Sequence, residues 1–353
     1  MSTEVRPSIA LNCPLPKLDF DVITMGHGSG GLLTHRLLES GVFNVLKNEL
    51  LDQQHDGAIF HLEGKTAFTT DSYVISPLFF PGGNIGELAV NGSVNDLAMC
   101  GAIPQYLSLS FILEEGLPMT DFWDILLSIR QASERAGVKI VTGDTKVVEK
   151  GKGDGVFINT SGVGMIHPQA NVHVNNIQAG DQIIVSGYVA THGVAVMSKR
   201  KGLEFETSIQ SDTRAVNHMV KELLDQLGED VRFLRDPTRG GVATVLNEIA
   251  QQRKLGITLK QTSIPIEEQV EGACELLGLD PIYVANEGIF IAVVPADKAD
   301  EALRILHLHE FGKQAAVIGE VVEDHPGKVV MLSRISGKRV VSMLTGEQLP
   351  RIC

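Results

Sequence analysis

The sequence predicts a mixed α/β fold divided into two domains. Its 353 residues are enough for two domains of ordinary size. Strand-like and helical segments alternate, which is typical of helices packed on sheets, and the alternation starts again after a Pro- and Asn-containing stretch at 168–178. We therefore expect a loosely ordered segment at 1–18, an N-terminal domain at 19–170, a C-terminal domain at 171–335 and a tail at 336–353.

Hydrophobic periodicity defines the individual elements. In the first domain it predicts strands at 20–25, 106–113, 138–144 and 156–166, a hairpin at 58–62 and 66–71, and helices at 32–47, 84–101 and 121–136, with Thr120 as the cap of the last helix. In the second domain it predicts strands at 182–187, 231–234, 257–262, 288–294, 315–322, 329–333 and 339–344, and helices at 192–201, 214–227, 241–252, 266–277 and 296–308.

Composition and charge exclude several classes of protein. The chain is 43% apolar and 21% charged, which excludes a disordered or fibrous protein. Its net charge of −13 disfavours nonspecific binding to nucleic acid or anionic membranes. Four scattered cysteines form no disulfide framework, and neither a signal peptide nor an apolar run of about 18 residues occurs. We expect a reduced, cytoplasmic protein that binds neither membranes nor nucleic acid.

A glycine-rich loop, GHGSGG at 26–31, lies between the first strand and the first helix. Its spacing fits the dinucleotide-binding pattern, but a hairpin is predicted where that fold requires a parallel βαβ crossover. No Lys follows the glycines, which excludes a Walker A loop. Backbone amides of Gly28, Gly30 and Gly31 before a helix instead predict an anion site, with a plain flexible loop as the alternative. His27 is either a catalytic candidate or a surface residue.

Three aspartates are candidates for binding a divalent cation. Asp71 ends a predicted strand, Asp96 lies in an otherwise apolar helix, and Asp236 follows a strand of the second domain. Carboxylates are the ligands that Mg²⁺ uses when it bridges phosphates. A strand-end turn for Asp71 and a helix-start carboxylate for Asp96 are the alternatives. Because Asp236 belongs to the second half, we expect the two domains to face each other across one site.

Two further charged residues are candidates for proton transfer. Lys146 follows Gly143 and Asp144 at a strand end, where it would neutralise charge on a phosphate or act as a base. Glu287 directly precedes a strand and would be a second base or a hydrogen-bonding anchor. The alternatives are a solvated lysine, which spacing alone favours, and a turn glutamate.

The chain ends in a cysteine, Cys353, within the sequence QLPRIC. A prenylation signal places its cysteine fourth from the end, so this tail is of another kind. A terminal residue is normally mobile, and the adjacent carboxylate disfavours the thiolate, which suits a carrier better than a nucleophile. We predict a tail that adopts two positions and carries a group on Cys353 into a cleft and then to a partner. Cys13, Cys100 and Cys274 are predicted to be structural.

Six motifs are spread from about residue 20 to the C-terminus: GHGSGG, TTDSYVISPLFFPGG, VNGSVNDLAMCGA, TGDTKVVEKGKGDG, RDPTRGGVATVLNE and the terminal PRIC. Together they resemble the HypE family of carbamoyl dehydratases, within the superfamily of aminoimidazole ribonucleotide synthetase and selenophosphate synthetase. The resemblance implies an α/β (α+β mixed-sheet) two-domain fold of the aminoimidazole ribonucleotide synthetase type. Its N-terminal domain would form a homodimer through a β-barrel. Asn84 stands where relatives often carry Asp.

The resemblance also implies an ATP-dependent reaction at the C-terminus. A carbamoyl group delivered to Cys353 by the carbamoyltransferase HypF is phosphorylated and loses phosphate, which leaves a thiocyanate. The cyanide passes to iron on a HypC–HypD complex and becomes a ligand of the nickel–iron hydrogenase centre. Implied with this are ATP and Mg²⁺, catalytic roles for Cys353, Lys146, Glu287 and His27, nucleotide binding by Gly28, Gly30, Gly31, Asp71, Asn91, Asp96, Asp144 and Asp236, and metal binding by Asp71, Asp96 and Asp236.

Two other functions remain open from the residues alone. One is a selenophosphate synthetase or an ATP-dependent amidine-forming ligase; the former would need a reactive cysteine near the glycine loop, whereas Cys13 lies upstream of it. A non-catalytic scaffold would use Cys353 to bind iron or to dock on a partner, although a single thiolate is a poor metal site. ATP hydrolysis tied to Cys353 separates the enzyme from the scaffold.

Overall fold

The computed structural model describes residues 20–53, 57–202, 209–335, 337–344 and 351–353. The segment predicted at 1–18 and Cys13 lie outside these ranges. The helices are α1 Leu32–Leu37, α2 Phe43–Val45, α3 Ile85–Met99, α4 Met119–Ala136, α5 Thr191–Lys201, α6 Asn217–Leu227, α7 Gly241–Arg253, α8 Glu268–Leu277 and α9 Ala299–His307. The strands are β1 Thr66–Tyr73, β2 Phe79–Phe80, β3 Gly83–Asn84, β4 Ala102–Glu114, β5 Lys139–Val148, β6 Val156–Ile166, β7 Gln182–Val185, β8 Phe233–Arg235, β9 Gly256–Lys260, β10 Ile291–Val294, β11 Ala316–Val322, β12 Val329–Leu332 and β13 Lys338–Val341.

The first domain is built on a four-stranded sheet in the order β1-β6-β4-β5. β4 and β5 run parallel, and the other neighbours are antiparallel. α3 packs across β1, β6 and β4, and α4 packs on α3. On the opposite face the side chains of Phe68 and Ile112 are 70% and 45% exposed. One face of this sheet is therefore covered by helices, and the other face carries exposed apolar side chains between the edge strands β1 and β5.

The second domain contains a seven-stranded sheet in the order β13-β12-β9-β11-β7-β10-β8. Helices cover both of its faces. Strand β7 shows this, since its alternate residues lie on opposite faces and pack with different helices. Ile183 and Val185 pack with residues of α7 and α8, whereas Ile184 packs with residues of α6 and α9. β13 pairs with β12, so Lys338–Val341, within the predicted tail, form the edge strand of this sheet.

Helix α3 joins the two domains, which explains why it is apolar on nearly every side. Its first-domain face packs on the sheet, and its other face contacts α6. The Asn95 side chain accepts a hydrogen bond from the Val216 amide (2.8 Å) and donates to the Arg214 carbonyl (2.9 Å). Asp96, the next residue, is thereby fixed at the boundary between the domains. In the described part of the chain, no helix is both long and apolar enough to cross a membrane.

Three local predictions are wrong. The predicted hairpin at 58–71 does not form, because 58–62 is irregular and largely exposed, and β1 instead pairs along its whole length with β6. The predicted strand at 20–25 contributes only an isolated bridge between Val22 and Pro118. α4 begins at Met119, directly after the N-cap residue Pro118, and has no side-chain cap, so Thr120 lies inside the first turn of the helix.

Candidate active site

A cavity of about 750 Å³ lies between the two domains, and we call it the interdomain cavity. Strand β1, the end of α3 and the loop after β8 supply its walls. It is lined by five of the predicted site residues, namely Asp71, Asp96, Asp236, Glu287 and Cys353. Both halves of the chain therefore contribute to one cavity, as the position of Asp236 in the sequence predicted.

Three carboxylates of the interdomain cavity influence one another. Burial raises the pKa of Asp96, and nearby Asp71 adds to the shift, although a hydrogen bond from Thr69 Oγ1 (2.7 Å) opposes it. Burial and the neighbouring Asp96 raise the pKa of Asp236 to about 7. Negative charge is thus costly here in the absence of a cation.

This donor set suits Mg²⁺, which prefers carboxylate oxygens and is a hard cation. A cation bound among the three aspartates would favour charged carboxylates and reverse the rise in the pKa values of Asp96 and Asp236. Among the described residues no three His, Cys, Asp or Glu side chains are placed to hold a metal ion by themselves. Since Mg²⁺ usually keeps water and phosphate oxygens as ligands, the residues fit a metal–nucleotide complex rather than a bare ion.

Glu287 is held rigidly at the interdomain cavity with its carboxyl group buried (4% exposed). Its amide and that of Gly288 donate to the Asp212 carboxylate at 3.2 and 3.1 Å, and its carbonyl accepts from Asn95 Nδ2 at 3.4 Å. The Oε1 atom is buried without a hydrogen-bond partner. Burial, followed by Asp236 and Asp212, raises the pKa of Glu287 well above its ordinary value. The surroundings therefore disfavour the charged form of this carboxyl group.

The last three residues of the chain are docked in the cleft between the domains. The Val74 amide donates to the terminal carboxylate of Cys353 (3.1 Å), and the Ser76 amide donates to the Arg351 carbonyl (3.5 Å), so the tail runs beside the segment that follows β1. Ile352 between them is 2% exposed and belongs to the core of the first domain. In this position the thiol of Cys353 lines the interdomain cavity.

The docked thiol is neutral. Burial raises the pKa of Cys353 to about 12, and Glu287 adds to the shift. The thiolate is the nucleophilic form, so the docked residue is suited to holding a group. The sequence analysis predicted a thiol that disfavours the thiolate form and attributed this preference to the adjacent carboxylate. In the structure, burial is the main cause of the raised pKa. Cys274 is buried as predicted, but Cys100 is exposed and lines the interdomain cavity.

A second cavity, of about 200 Å³, lies beneath the glycine-rich loop, and we call it the loop cavity. Gly28 and Gly30 line it together with Asp144 and Lys146 of β5. Lys146 Nζ lies 2.6 Å from Asp144, and this contact lowers the pKa of Asp144. The loop rests directly on β5, because a Cβ atom at Gly28 would lie 2.5 Å from the Val147 amide nitrogen. Glycine is therefore required at this position.

The loop cavity and the interdomain cavity lie at opposite edges of the first sheet. Asp71 is on β1 and Lys146 is on β5, with β6 and β4 between them. Three strand spacings separate these edges by about 14 Å, which exceeds the reach of a lysine side chain. Within one chain, the structure brings Glu287 to the Cys353 thiol but does not bring Lys146 there.

Several predicted site residues have structural partners. His27 is 4% exposed, and its Nδ1 accepts from the Thr24 amide at 2.9 Å, which closes the turn at the start of the loop. Burial lowers the pKa of His27. Gly30 donates its amide to Thr34 Oγ1 (3.0 Å), whereas Gly31 is exposed at the start of α1. Neither His27 nor Gly31 lines the loop cavity or the interdomain cavity.

Two asparagines of the first domain are likewise explained by packing. Asn91 is 1% exposed, and its Nδ2 donates to Thr213 Oγ1 (3.4 Å) across the domain boundary. Asn84 caps α3, because its Oδ1 accepts from the Gly86 amide (2.8 Å) and from Ser128 Oγ (2.7 Å). The Asn84 side chain is thereby fully engaged in the fold.

One residue that lines the interdomain cavity, Arg239, and one buried neighbour of Asp71, Tyr73, were missed from the sequence. Arg239 lines the cavity and is near enough to Cys353 to oppose the rise in its pKa; it lies inside the quoted motif RDPTRGG. Tyr73 is 1% exposed, and its buried hydroxyl group has no hydrogen-bond partner. Tyr73 lies two positions after Asp71, so strand alternation places both on the helix-covered face.

Comparison with known families agrees with this architecture. Residues 54–166 match the N-terminal domain of AIR synthase related proteins, and residues 178–331 match their C-terminal domain. The fold and the interdomain cavity therefore define an AIR synthase related protein, as the six motifs suggested.

Individual relatives narrow the class further. The chain is 50% identical over 332 residues to the carbamoyl dehydratase HypE of Azotobacter vinelandii, covering 94% of this chain and 97% of that protein. A crystal structure of the hydrogenase maturation protein HypE in complex with ATP superposes with a TM-score of 0.90, at 44% identity, covering 94% of this chain and 99% of that one. A structure of a HypE–HypF complex matches with a TM-score of 0.77 at 44% identity, covering 89% and 100%. The chain belongs to the HypE family of carbamoyl dehydratases.

Proposed function

We propose that this chain uses ATP to dehydrate a carbamoyl group carried on the sulfur of Cys353, which leaves a thiocyanate. The observation that carries the proposal is the docked position of Cys353, whose thiol lines the same cavity as Glu287 and the three aspartates. A neutral terminal thiol placed among carboxyl groups is suited to present a reacting group. The name carbamoyl dehydratase that relatives bear supports the same reaction.

The reaction transfers a phosphoryl group and then eliminates it. The carbamoyl oxygen attacks the terminal phosphorus of ATP, ADP leaves, and the nitrogen gives up one proton. The C–O bond then breaks, phosphate departs with that oxygen, and the nitrogen loses its second proton as the C≡N bond forms. The elements of water thus leave the carbamoyl group, and ATP hydrolysis drives the step. Phosphorylation matters because it converts a poor leaving group into phosphate.

Glu287 is the residue best placed to handle the protons of the carbamoyl nitrogen. Burial raises the pKa of its carboxyl group, and the protonated form can donate a hydrogen bond to a group on Cys353. Once cationic groups enter the cavity, its pKa falls, and the carboxylate can accept a proton. Mg²⁺ bound by Asp71, Asp96 and Asp236 would supply positive charge that stabilises the transferring phosphoryl group.

We further propose a homodimer whose two chains share each ATP site. The uncovered face of the first sheet, with Phe68 and Ile112 exposed, is suited to meet its own copy. If two such sheets close into a barrel with β1 of one protomer beside β5 of its partner, Asp71 and the partner's β5 become neighbours. Lys146 and Asp144 of one protomer would then serve Cys353 of the other. This arrangement would bring Lys146, which does not line the interdomain cavity of its own chain, to the interdomain cavity of the partner.

The tail requires one partner that supplies the carbamoyl group and another that accepts the cyanide. The complex of a relative with HypF supports HypF as the carbamoyl donor for this chain. We propose a HypC–HypD complex as the acceptor that takes the cyanide to iron, for the nickel–iron hydrogenase centre. Because the docked thiol is buried in the cleft, each transfer requires that the tail leave this position. The tail therefore has an undocked state in addition to the docked one.

Phosphate release tied to Cys353 tests this function. After carbamoylation by the donor enzyme, we expect wild-type protein with Mg-ATP to release phosphate, and Cys353→Ala to fall by at least about 100-fold. Cys100→Ala is the matched control, since it removes the other thiol that lines the interdomain cavity and should keep the activity. Carbamoylated wild-type protein that releases no phosphate would favour the non-catalytic scaffold.

A further inference from the structure

A buried histidine of the second domain holds the docked tail. His192 lies in the first turn of α5 and is 0% exposed. Its Nε2 lies 2.9 Å from the Ile352 carbonyl oxygen, and its Nδ1 lies 2.7 Å from Ser211 Oγ. The ring of Phe80 meets the imidazole edge-on at 5.5 Å between centroids. Both ring nitrogens are therefore occupied, one by the tail and one by the body of the protein.

The partners of His192 determine its tautomer. A carbonyl oxygen can only accept, so Nε2 carries the proton and donates to Ile352. Nδ1 is then the acceptor for the Ser211 hydroxyl, whose oxygen accepts from the Thr213 amide at 3.0 Å. Burial lowers the pKa of His192, although Asp212 opposes the shift and Arg200 adds to it. The neutral ring with its proton on Nε2 is thus the form that the surroundings favour.

We propose that His192, oriented by Ser211, is the positioning residue that keeps the tail docked and the Cys353 thiol at Glu287. The consequence of this role for catalysis rests on the proposed function, but the effect of His192 on the position of the tail does not. The tail is also held by backbone bonds to 74–76 in the first domain, by the ion pair between Arg351 and Asp154 (2.5 Å), and by a hydrogen bond from the Arg200 guanidinium of the second domain to the Arg351 carbonyl. His192 adds a second contact from the second domain, at the residue next to Cys353, so the tail is held from both sides of the cleft.

The modest strength of the hydrogen bond between His192 and Ile352 is compatible with a tail that must also leave the cleft. A single neutral hydrogen bond contributes modestly to stability, because water replaces it when it breaks. Its removal shifts an equilibrium by a factor of about 5 to 30. The docked state is thus favoured while the undocked state stays accessible to a donor or an acceptor. The loss of Nε2–H should move the thiol outward without disturbing the cavity walls.

The accessibility of the thiol tests the proposal without any carbamoyl chemistry. N-ethylmaleimide is added to the full-length protein, and the rate of labelling of Cys353 is followed by mass spectrometry of the 348–353 peptide released by cleavage after Glu347. We expect His192→Phe to accelerate labelling about 5- to 30-fold. His192→Gln, whose amide can again donate to the Ile352 carbonyl, should return the rate toward wild type. Ser211→Ala, which removes the partner that fixes the tautomer, should accelerate it less.

A matched control separates this role from general destabilisation. His307 makes the same type of bond, from Nε2 to the Ala315 carbonyl (2.9 Å), within the second domain. His307→Phe should leave the labelling rate of Cys353 unchanged. If His192→Phe unfolds the protein, Ser211→Ala decides the question. Labelling of Cys353 at the wild-type rate in His192→Phe, or in Ser211→Ala where His192→Phe does not fold, overturns the proposal. Faster labelling in a protein that never forms thiocyanate supports the role of His192 and rejects the proposed function instead.

Discussion

Mixed dimers of two inactive variants are expected to recover about a quarter of the wild-type activity, because half of them are heterodimers with one intact site of two. The variants are Lys146→Ala and Cys353→Ala, each expected to lose at least about 100-fold alone. If Lys146 serves the partner's tail, the heterodimer unites the lysine of one chain with the cysteine of the other. The measurement is thiocyanate formation after subunit exchange, with two affinity tags to confirm the heterodimer.

The double variant provides the control for this experiment. Lys146→Ala combined with Cys353→Ala in one chain leaves both sites of a heterodimer with wild-type protein incomplete. An equal mixture should therefore keep about a quarter of the wild-type activity, whereas independent chains would keep about half. Background activity in a confirmed heterodimer of the two single variants would show that each chain holds a whole site, and the shared site would be rejected.

Asp236→Asn is expected to stabilise the free protein while it abolishes the reaction. Burial and Asp96 hold the pKa of Asp236 at about 7, so its negative charge weakens the folded state above that pH. Removing the charge should raise the free energy of unfolding by about 1–2 kcal/mol at pH 8 without Mg²⁺ and nucleotide. Activity should fall at least about 100-fold, because a proposed metal ligand is lost.

The pH dependence of this stability difference has a definite sign. A carboxyl group whose pKa is raised on folding is destabilising when charged, so the penalty is full above about 7 and disappears below its ordinary value of 3.8. The advantage of Asp236→Asn should accordingly shrink as the pH falls from 8 to 4. Asp324→Asn, at an exposed turn position, is the control and should show no such trend. A variant less stable than wild type at pH 8 would contradict the account.

Local signals in the sequence were sufficient for most of the elements. Strand β6 was predicted at its observed bounds, and α3 was predicted within two residues at each end, because both segments have unbroken patterns and clear breakers. The hairpin at 58–71 failed because a strand pairs with whichever partner buries its apolar face, and the partner of β1 lies about ninety residues away. That choice depends on the assembled sheet.

The residues of the candidate site likewise fall into two groups: those that local sequence signals identified and those whose role depends on contacts distant in sequence. Asp71 and Asp236 were recognised as carboxylates at strand ends and Asp96 as a carboxylate within an apolar helix, and the structure gathers them in one cavity. The role of His192 depends on a contact with Ile352 that spans 160 residues and carries no local pattern. Likewise, the separation of Lys146 from Cys353 follows from strand order, which spacing along the chain does not encode.

The most direct test of the central claim is the mass of the C-terminal peptide. The protein is incubated with the carbamoyl donor enzyme, carbamoyl phosphate and Mg-ATP, and the 348–353 peptide is then released by cleavage after Glu347. We predict a carbamoyl adduct on Cys353 that loses the mass of one water only when ATP is present. A carbamoyl adduct that keeps its mass with ATP, or an unmodified Cys353 beside a donor enzyme of verified activity, would contradict the dehydration reaction.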